Sequence, residues 1–170
     1  KLWNIGRFLL EKAGTAPVQP IDTIASSRLQ RTDEWILWRL DLAIQEADAA
    51  RGPIRPITKL SHADRVRWAD PERTSGMRLN DLADTARRSL WNGLADWYVE
   101  AIKGRLADGG ADAEVARAVL VHVFDGALRL LHPVVPFVTE DIWQQLPSRP
   151  SGAFLTTSAW PQPRPAHDNG

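Results

Sequence analysis

The sequence predicts an all-α fold, a helix bundle, on three observations. Apolar residues recur at three- and four-residue steps over most of the chain, the pattern of helices with one buried face. Proline and glycine fall between those runs, where helices must stop. The period-2 alternation of a half-buried strand is nearly absent. Four long helices and a short fifth result, which is a bundle.

In the first helix Leu2, Ile5, Leu9 and Ala13 form the stripe, and Gly14 suits a C-cap. Residues 15–31 read as a loop broken by Pro17 and Pro20. Thr32 can cap the second helix, with Asp33 and Glu34 at its positive end. Its stripe is Ile36, Leu40, Ala43, Ile44 and Ala47. Residues 51–76 break the rhythm with Arg51-Gly52-Pro53, Arg55-Pro56 and Asp70-Pro71. Inside them Ser61-x-x-Asp64 resembles a capping box for a short helix ending near Trp68. From Leu79 the pattern returns, with Leu82, Ala86, Leu90, Leu94, Trp97 and Ala101 on one face.

Asp108-Gly109-Gly110 interrupts that run, and Asp112 can cap the next, whose stripe is Val115, Val119, Val123, Ala127 and Leu130. Pro133 has no N–H to donate and biases His132 away from helix, so this helix ends there. Pro136 suits the first turn of a last helix over 136–146, near whose start lie Thr139, Glu140 and Asp141. The rest is proline-rich, with Phe154-Leu155-Thr156-Thr157 as one extended piece. The stripes predict that Leu82, Leu90, Leu94, Val119, Val123, Leu130 and Ile142 are buried together.

A chain of 170 residues, 44% hydrophobic and 25% charged, fits one folded domain with a real core. It has no apolar run long enough to span a membrane and no signal-peptide pattern. Opening at Lys1 directly on a helical pattern, it reads as an excised segment. Without cysteine it has no disulfide and no thiolate ligand or nucleophile, which suits the cytoplasm. The formal net charge is zero, so any nucleic-acid contact must come from a local patch.

Catalytic signals are weak. Of His62, His122, His132 and His167, the middle two are too far apart for an i, i+4 ligand pair. The pairs Asp33-Glu34, Asp81/Asp84 and Glu140-Asp141 fall at helix starts, where dipole compensation explains them. There is no Gly-rich phosphate loop and no Gly-x-Ser-x-Gly elbow. No catalytic residue and no metal site is predicted. Eight tryptophans are present. Trp97 lies on an apolar stripe and Trp91 and Trp143 adjoin apolar positions, so most are expected in the core. On the first helix Lys1, Asn4, Arg7 or Phe8, and Glu11 share the side opposite Leu9; a solvated polar face accounts for them by spacing alone.

Four motifs in order carry a family resemblance. Lys1-Leu2-Trp3-Asn4-x-x-Arg7-Phe8, Asp33-x-Trp35-Ile36-Leu37-x-Arg39-Leu40, Trp91-Asn92-x-x-x-Asp96-Trp97-Tyr98-x-Glu100, and Leu131-His132-Pro133 through Pro136-Phe137 to Trp143 resemble the anticodon-binding bundle of class I aminoacyl-tRNA synthetases. The His-Pro and Asp-Trp-Tyr forms look most like the valyl branch of that family. The matches span residues 1–50 and 77–147, and Trp160-Pro161 looks like the family's end of domain. Residues 51–76 have no counterpart and carry a local charge of +3 (six Lys/Arg, three Asp/Glu). Arg78-Leu79-Asn80-Asp81 departs from the family's Arg-Phe-Asn-Glu.

The resemblance implies a tRNA-recognition domain over 1–147 with an insertion at 51–76, followed by a C-terminal extension or linker at 148–170. Lys1, Asn4, Arg7 and Phe8 would bind the anticodon stem-loop of a tRNA, valine-accepting by the same likeness. Arg65, Arg67 and Trp68 are candidates for contact with the tRNA backbone, the alternative being a solvated loop packed through Trp68. The HIGH and KMSKS signatures of class I synthetases are not in the sequence, so ATP and magnesium chemistry would belong to a covalently linked catalytic domain of a valine–tRNA ligase, and this segment would need no cofactor. The isoleucyl branch is the alternative within the family, and a helical protein-interaction module the alternative outside it.

Overall fold

The computed structural model describes residues 2–52, 78–147 and 149–165. Among these, five helices form the bundle: α1 (Leu2–Ala13), α2 (Arg31–Arg51), α3 (79–108), α4 (Gly110–Leu131) and α5 (Pro136–Trp143). Three short 3-10 turns complete the regular structure, and no strand occurs among the described residues. None of these helices is long and apolar enough to cross a membrane.

Helix α4 is the centre, touching α1, α2, α3 and α5. Its run from Val115 to Leu131 is buried on nearly every side, as expected of a helix surrounded by others. All seven residues expected to be buried together are at most 1% exposed. The turn from α3 to α4 takes no intervening loop. Gly109 and Gly110 both adopt φ +72°, a left-handed conformation that is strained for any residue with a Cβ. Gly109 serves as both last cap and first cap, so Asp112 does not cap α4.

Helix α2 also starts differently from the expectation. Thr32 is not its cap: Gln30 is, in a capping box where the Gln30 N–H donates to Asp33 Oδ2 at 2.9 Å. Asp33 wins because its carboxylate is buried among donors, whereas Thr32 faces out. Helix α3 is α-helical over Leu79–Arg88 and Val99–Asp108 but π-helical over Ser89–Tyr98. Each i to i+4 step in an α-helix overshoots one turn by roughly 40°; the widened i→i+5 turns take up that overshoot. The buried face therefore runs Leu82, Ala86, Leu90, Leu94, Tyr98, Ile102. Trp97 and Ala101, expected on that stripe, are exposed.

The corner between α4 and α5 falls at the prolines, with α4 ending at Leu131 and Pro136 in the first turn of α5. But His132 keeps helical dihedrals (φ -55°, ψ -41°) and is not turned out of the α region by Pro133. Helix α5 ends at Trp143, three residues before the expected limit, and a turn follows. Glu140 and Asp141 lie beyond its first turn and do not compensate its dipole. Glu140 instead accepts the backbone N–H groups of Leu155 (3.0 Å) and Thr156 (3.2 Å). Leu155–Thr157 is a 3-10 turn, not an extended piece. Beyond it Trp160 Nε1 donates to Asp48 (2.8 Å) under the Arg51 guanidinium. Arg164 then binds Asp41 through its backbone and side chain.

Candidate nucleic-acid interface

The candidate face on α1 follows from helical phase. Gly6, Leu9 and Ala13 are buried on one side; Asn4, Arg7 and Glu11 are exposed on the other, because residues three and four apart share a side. Gly6 fixes the seat: a Cβ built there would lie 2.5 Å from Ile142 Cδ1 of α5, so α1 approaches α5 at backbone distance. Phe8 is half-buried, and the Lys12 ammonium lies 5.5 Å from its ring centroid. Lys12 also pairs with Glu11 at 3.0 Å. Among the described residues Arg7 enters no ion pair, which leaves its guanidinium open to an anion.

Lys1 of this candidate set lies outside the described residues, as do Arg65, Arg67 and Trp68 of the insertion. The structure adds Trp3, which is 39% exposed and one turn before Arg7. A face of Trp3, Asn4, Arg7 and Phe8 offers aromatic surface, an amide and a guanidinium together, groups that can stack on bases, pair with their edges and bind phosphate. Trp3 stands in the motif Lys1-Leu2-Trp3-Asn4-x-x-Arg7-Phe8, but the default expectation placed tryptophan in the core.

That default fails widely. Trp143 is buried, but Trp35, Trp38 and Trp97 are 40%, 52% and 70% exposed. The core is filled by Leu, Ile, Val and Ala, with Tyr98 and Phe124, so helix spacing had room for few indoles inside.

Beneath the exposed surface lies a polar cluster joining three helices. The buried Asp33 accepts the Tyr98 hydroxyl (2.5 Å) and Arg105 Nη1 (2.8 Å), and Arg105 also binds Asp112 at 2.8 Å. Burial and the hydrogen bond to Asp33 push the Tyr98 hydroxyl far above its ordinary value, so it stays a donor. Burial alone would depress Arg105, but the two carboxylates raise it. Its bond in turn lowers Asp112. Every member has a partner within the cluster, so these polar groups are satisfied where they are buried. Among the described residues no group of three or more His, Asp or Glu is arranged to hold a metal ion.

A family model described as the anticodon-binding domain of tRNA ligase matches residues 72–169, more than half of the chain. The chain belongs to this family. The anticodon-binding domain is also similar, across its whole length, to parts of valine–tRNA ligases. It is 34% identical to that of Geobacillus stearothermophilus over 170 residues, which is 99% of this chain and 16% of the relative. The protein of Streptomyces coelicolor is 35% identical over 170 residues, covering 100% of this chain and 16% of its own length. That of Geobacter sulfurreducens is 35% identical over 172 residues, with shares of 99% and 16%. The anticodon-binding domain thus spans about one sixth of the length of these relatives.

Proposed function

We propose that this domain holds the anticodon stem-loop of a valine-accepting tRNA, so that the acceptor end reaches a catalytic domain elsewhere in the same polypeptide. The observation that carries the reading is the α1 face, where Asn4 and Arg7 are exposed beside Trp3 and Phe8 in a chain of the anticodon-binding family. Valine is favoured over isoleucine because the relatives above are named valine–tRNA ligases. The parent would be an ATP- and magnesium-dependent ligase of the cytoplasm, with adenylate chemistry in the part beyond this chain. Residues 1–147 would form the recognition domain and 148–170 an extension, of which Trp160 and Arg164 bind α2.

The test uses the full-length enzyme. Arg7→Ala should weaken tRNA binding about tenfold or more, the scale of a lost charge-assisted hydrogen bond. Asn4→Ala should weaken it by a smaller factor. Valine-dependent ATP–pyrophosphate exchange, which needs no tRNA, should persist in both. Equal losses in the two assays would mean that these residues support the enzyme's stability, and the recognition reading would fail.

A further inference from the structure

Away from the α1 face lies an apolar cleft built from exposed aromatic side chains. It lies between α2 and α3, has a volume of about 450 Å³, and is lined by Arg31, Thr32, Trp35, Trp97, Tyr98 and Ala101. The π-helical stretch of α3 creates it: by keeping Leu94, Tyr98 and Ile102 on the buried face, it turns Trp97 outward to 70% exposure. Trp35 meets it from α2 at 40% exposure. The hydroxyl of Tyr98 is turned inward onto Asp33. Tyr98 therefore offers the cleft ring carbon and no hydrogen-bonding group.

One cation on its wall is placed for an anion. Arg31 lines the cleft one helical turn before Trp35 on α2, whereas Arg39, one turn after it, lines a separate groove with Glu46 and Thr85. Arg31 enters no ion pair among the described residues. Of the exposed acids nearby, Glu100 is held by Lys103 at 2.6 Å, and Glu34 sits about 100° round the helix from Trp35. Asp96 adjoins Trp97 as the remaining negative charge. An apolar aromatic slot with an open guanidinium on its wall suits a planar base stacked on the indoles, with a backbone phosphate on Arg31. An apolar peptide would fill the slot but would leave Arg31 without a counter-charge.

We propose that the Trp35–Trp97 cleft takes an unpaired base of the bound tRNA, as a second contact separate from the α1 face. The proposal rests on the tRNA-recognition reading, and the experiment separates the two. Affinity for an in vitro transcribed valine tRNA is measured for the full-length enzyme and its Trp97→Ala, Trp97→Phe and Arg7→Ala variants, with the thermal midpoint of each. Trp97→Ala should weaken binding about tenfold, the scale of one lost stacking contact, and Trp97→Phe should recover most of it. Ultraviolet irradiation of the wild-type complex should cross-link a base to the peptide carrying Trp35 or Trp97. Full affinity in Trp97→Ala beside a loss in Arg7→Ala overturns the cleft proposal and leaves the α1 reading in place. Full affinity in both overturns the recognition reading and this proposal with it. A fall in thermal midpoint for Trp97→Ala, with affinity unchanged and no cross-link, makes the cleft a seat for another part of the polypeptide and overturns the proposal.

Discussion

Asp33 joins three helices through a single carboxylate. It closes the capping box of α2, accepts Tyr98 and Arg105 from α3, and through Arg105 is tied to Asp112 of α4. Its side chain is fully buried, and that of Arg105 is 10% exposed, so the pair is shielded from the screening that makes surface ion pairs weak. Removing one partner of such a pair strands the other without solvent. Asp33→Ala is expected to cost about 3–5 kcal/mol in urea denaturation. Asp33→Asn keeps the shape and an acceptor and should lose less. Tyr98→Phe removes only one donor and should cost about 1 kcal/mol, the net worth of a typical hydrogen bond. A loss below that of Tyr98→Phe for Asp33→Ala would refute the three-helix role of this carboxylate.

At the level of helices, the position of the α1 face depends on how closely α1 approaches α5. Gly6 permits the contact, because a Cβ there would lie 2.5 Å from Ile142 Cδ1 and 2.9 Å from its Cγ1. Helix propensity alone favours Gly6→Ala by about 1 kcal/mol. Overpacking against a fully buried Ile142 opposes it by about 1–3 kcal/mol, so the clash should decide the sign or cancel the gain. In the double variant Gly6→Ala/Ile142→Val the offending Cδ1 is gone, and the combined loss should fall short of the sum of the single losses in a double-mutant cycle. Strict additivity would show that the two residues do not press on one another. The stripes of α1, α2 and α4 were legible in the sequence because α-helical spacing holds throughout them. That of α3 was legible only to Leu94, because nothing in the residue pattern announces that the turns widen at Ser89.

Across the whole molecule, the C-terminal extension ties the last helix back to α2. Glu140 on α5 accepts Gln144, Leu155 and Thr156, Trp160 reaches Asp48, and Arg164 reaches Asp41. Partial burial would raise the Glu140 carboxyl, but these three donors outweigh it and hold the group below its ordinary value of 4.5. A carboxyl lowered by folding contributes stability that is fully present above its unfolded value and is lost as pH falls through its folded one. The amides of Leu155 and Thr156 should therefore keep their hydrogen-exchange protection at neutral pH and lose it on acidification through the lowered Glu140 value, below 4.5. Glu140→Gln should weaken that protection at neutral pH and flatten the acid step. An acid step of the same size in the variant would assign it to another group.

The sequence by itself determined the helical class, the corner at Pro133 and Pro136, the glycine turn at 109–110 and the likeness to the anticodon-binding family. These are local matters: a missing N–H, a missing Cβ and a repeat of three and four residues act wherever they stand. Only the tertiary structure decided which polar groups were used and which aromatics were left outside. Thr32 reads as the cap of α2, yet Gln30 holds that place, because Asp33 accepts its N–H from within the first turn while Tyr98 and Arg105 converge on the same carboxylate from α3. Trp97 is as apolar as Leu94, yet it faces out because the π-helical turns keep the buried stripe on Leu94 and Tyr98. Glu140 reads as a helix-start acid and became the anchor of a segment fifteen residues further on. In each case the outcome depends on a partner distant in sequence, and burial of the pair sets its strength.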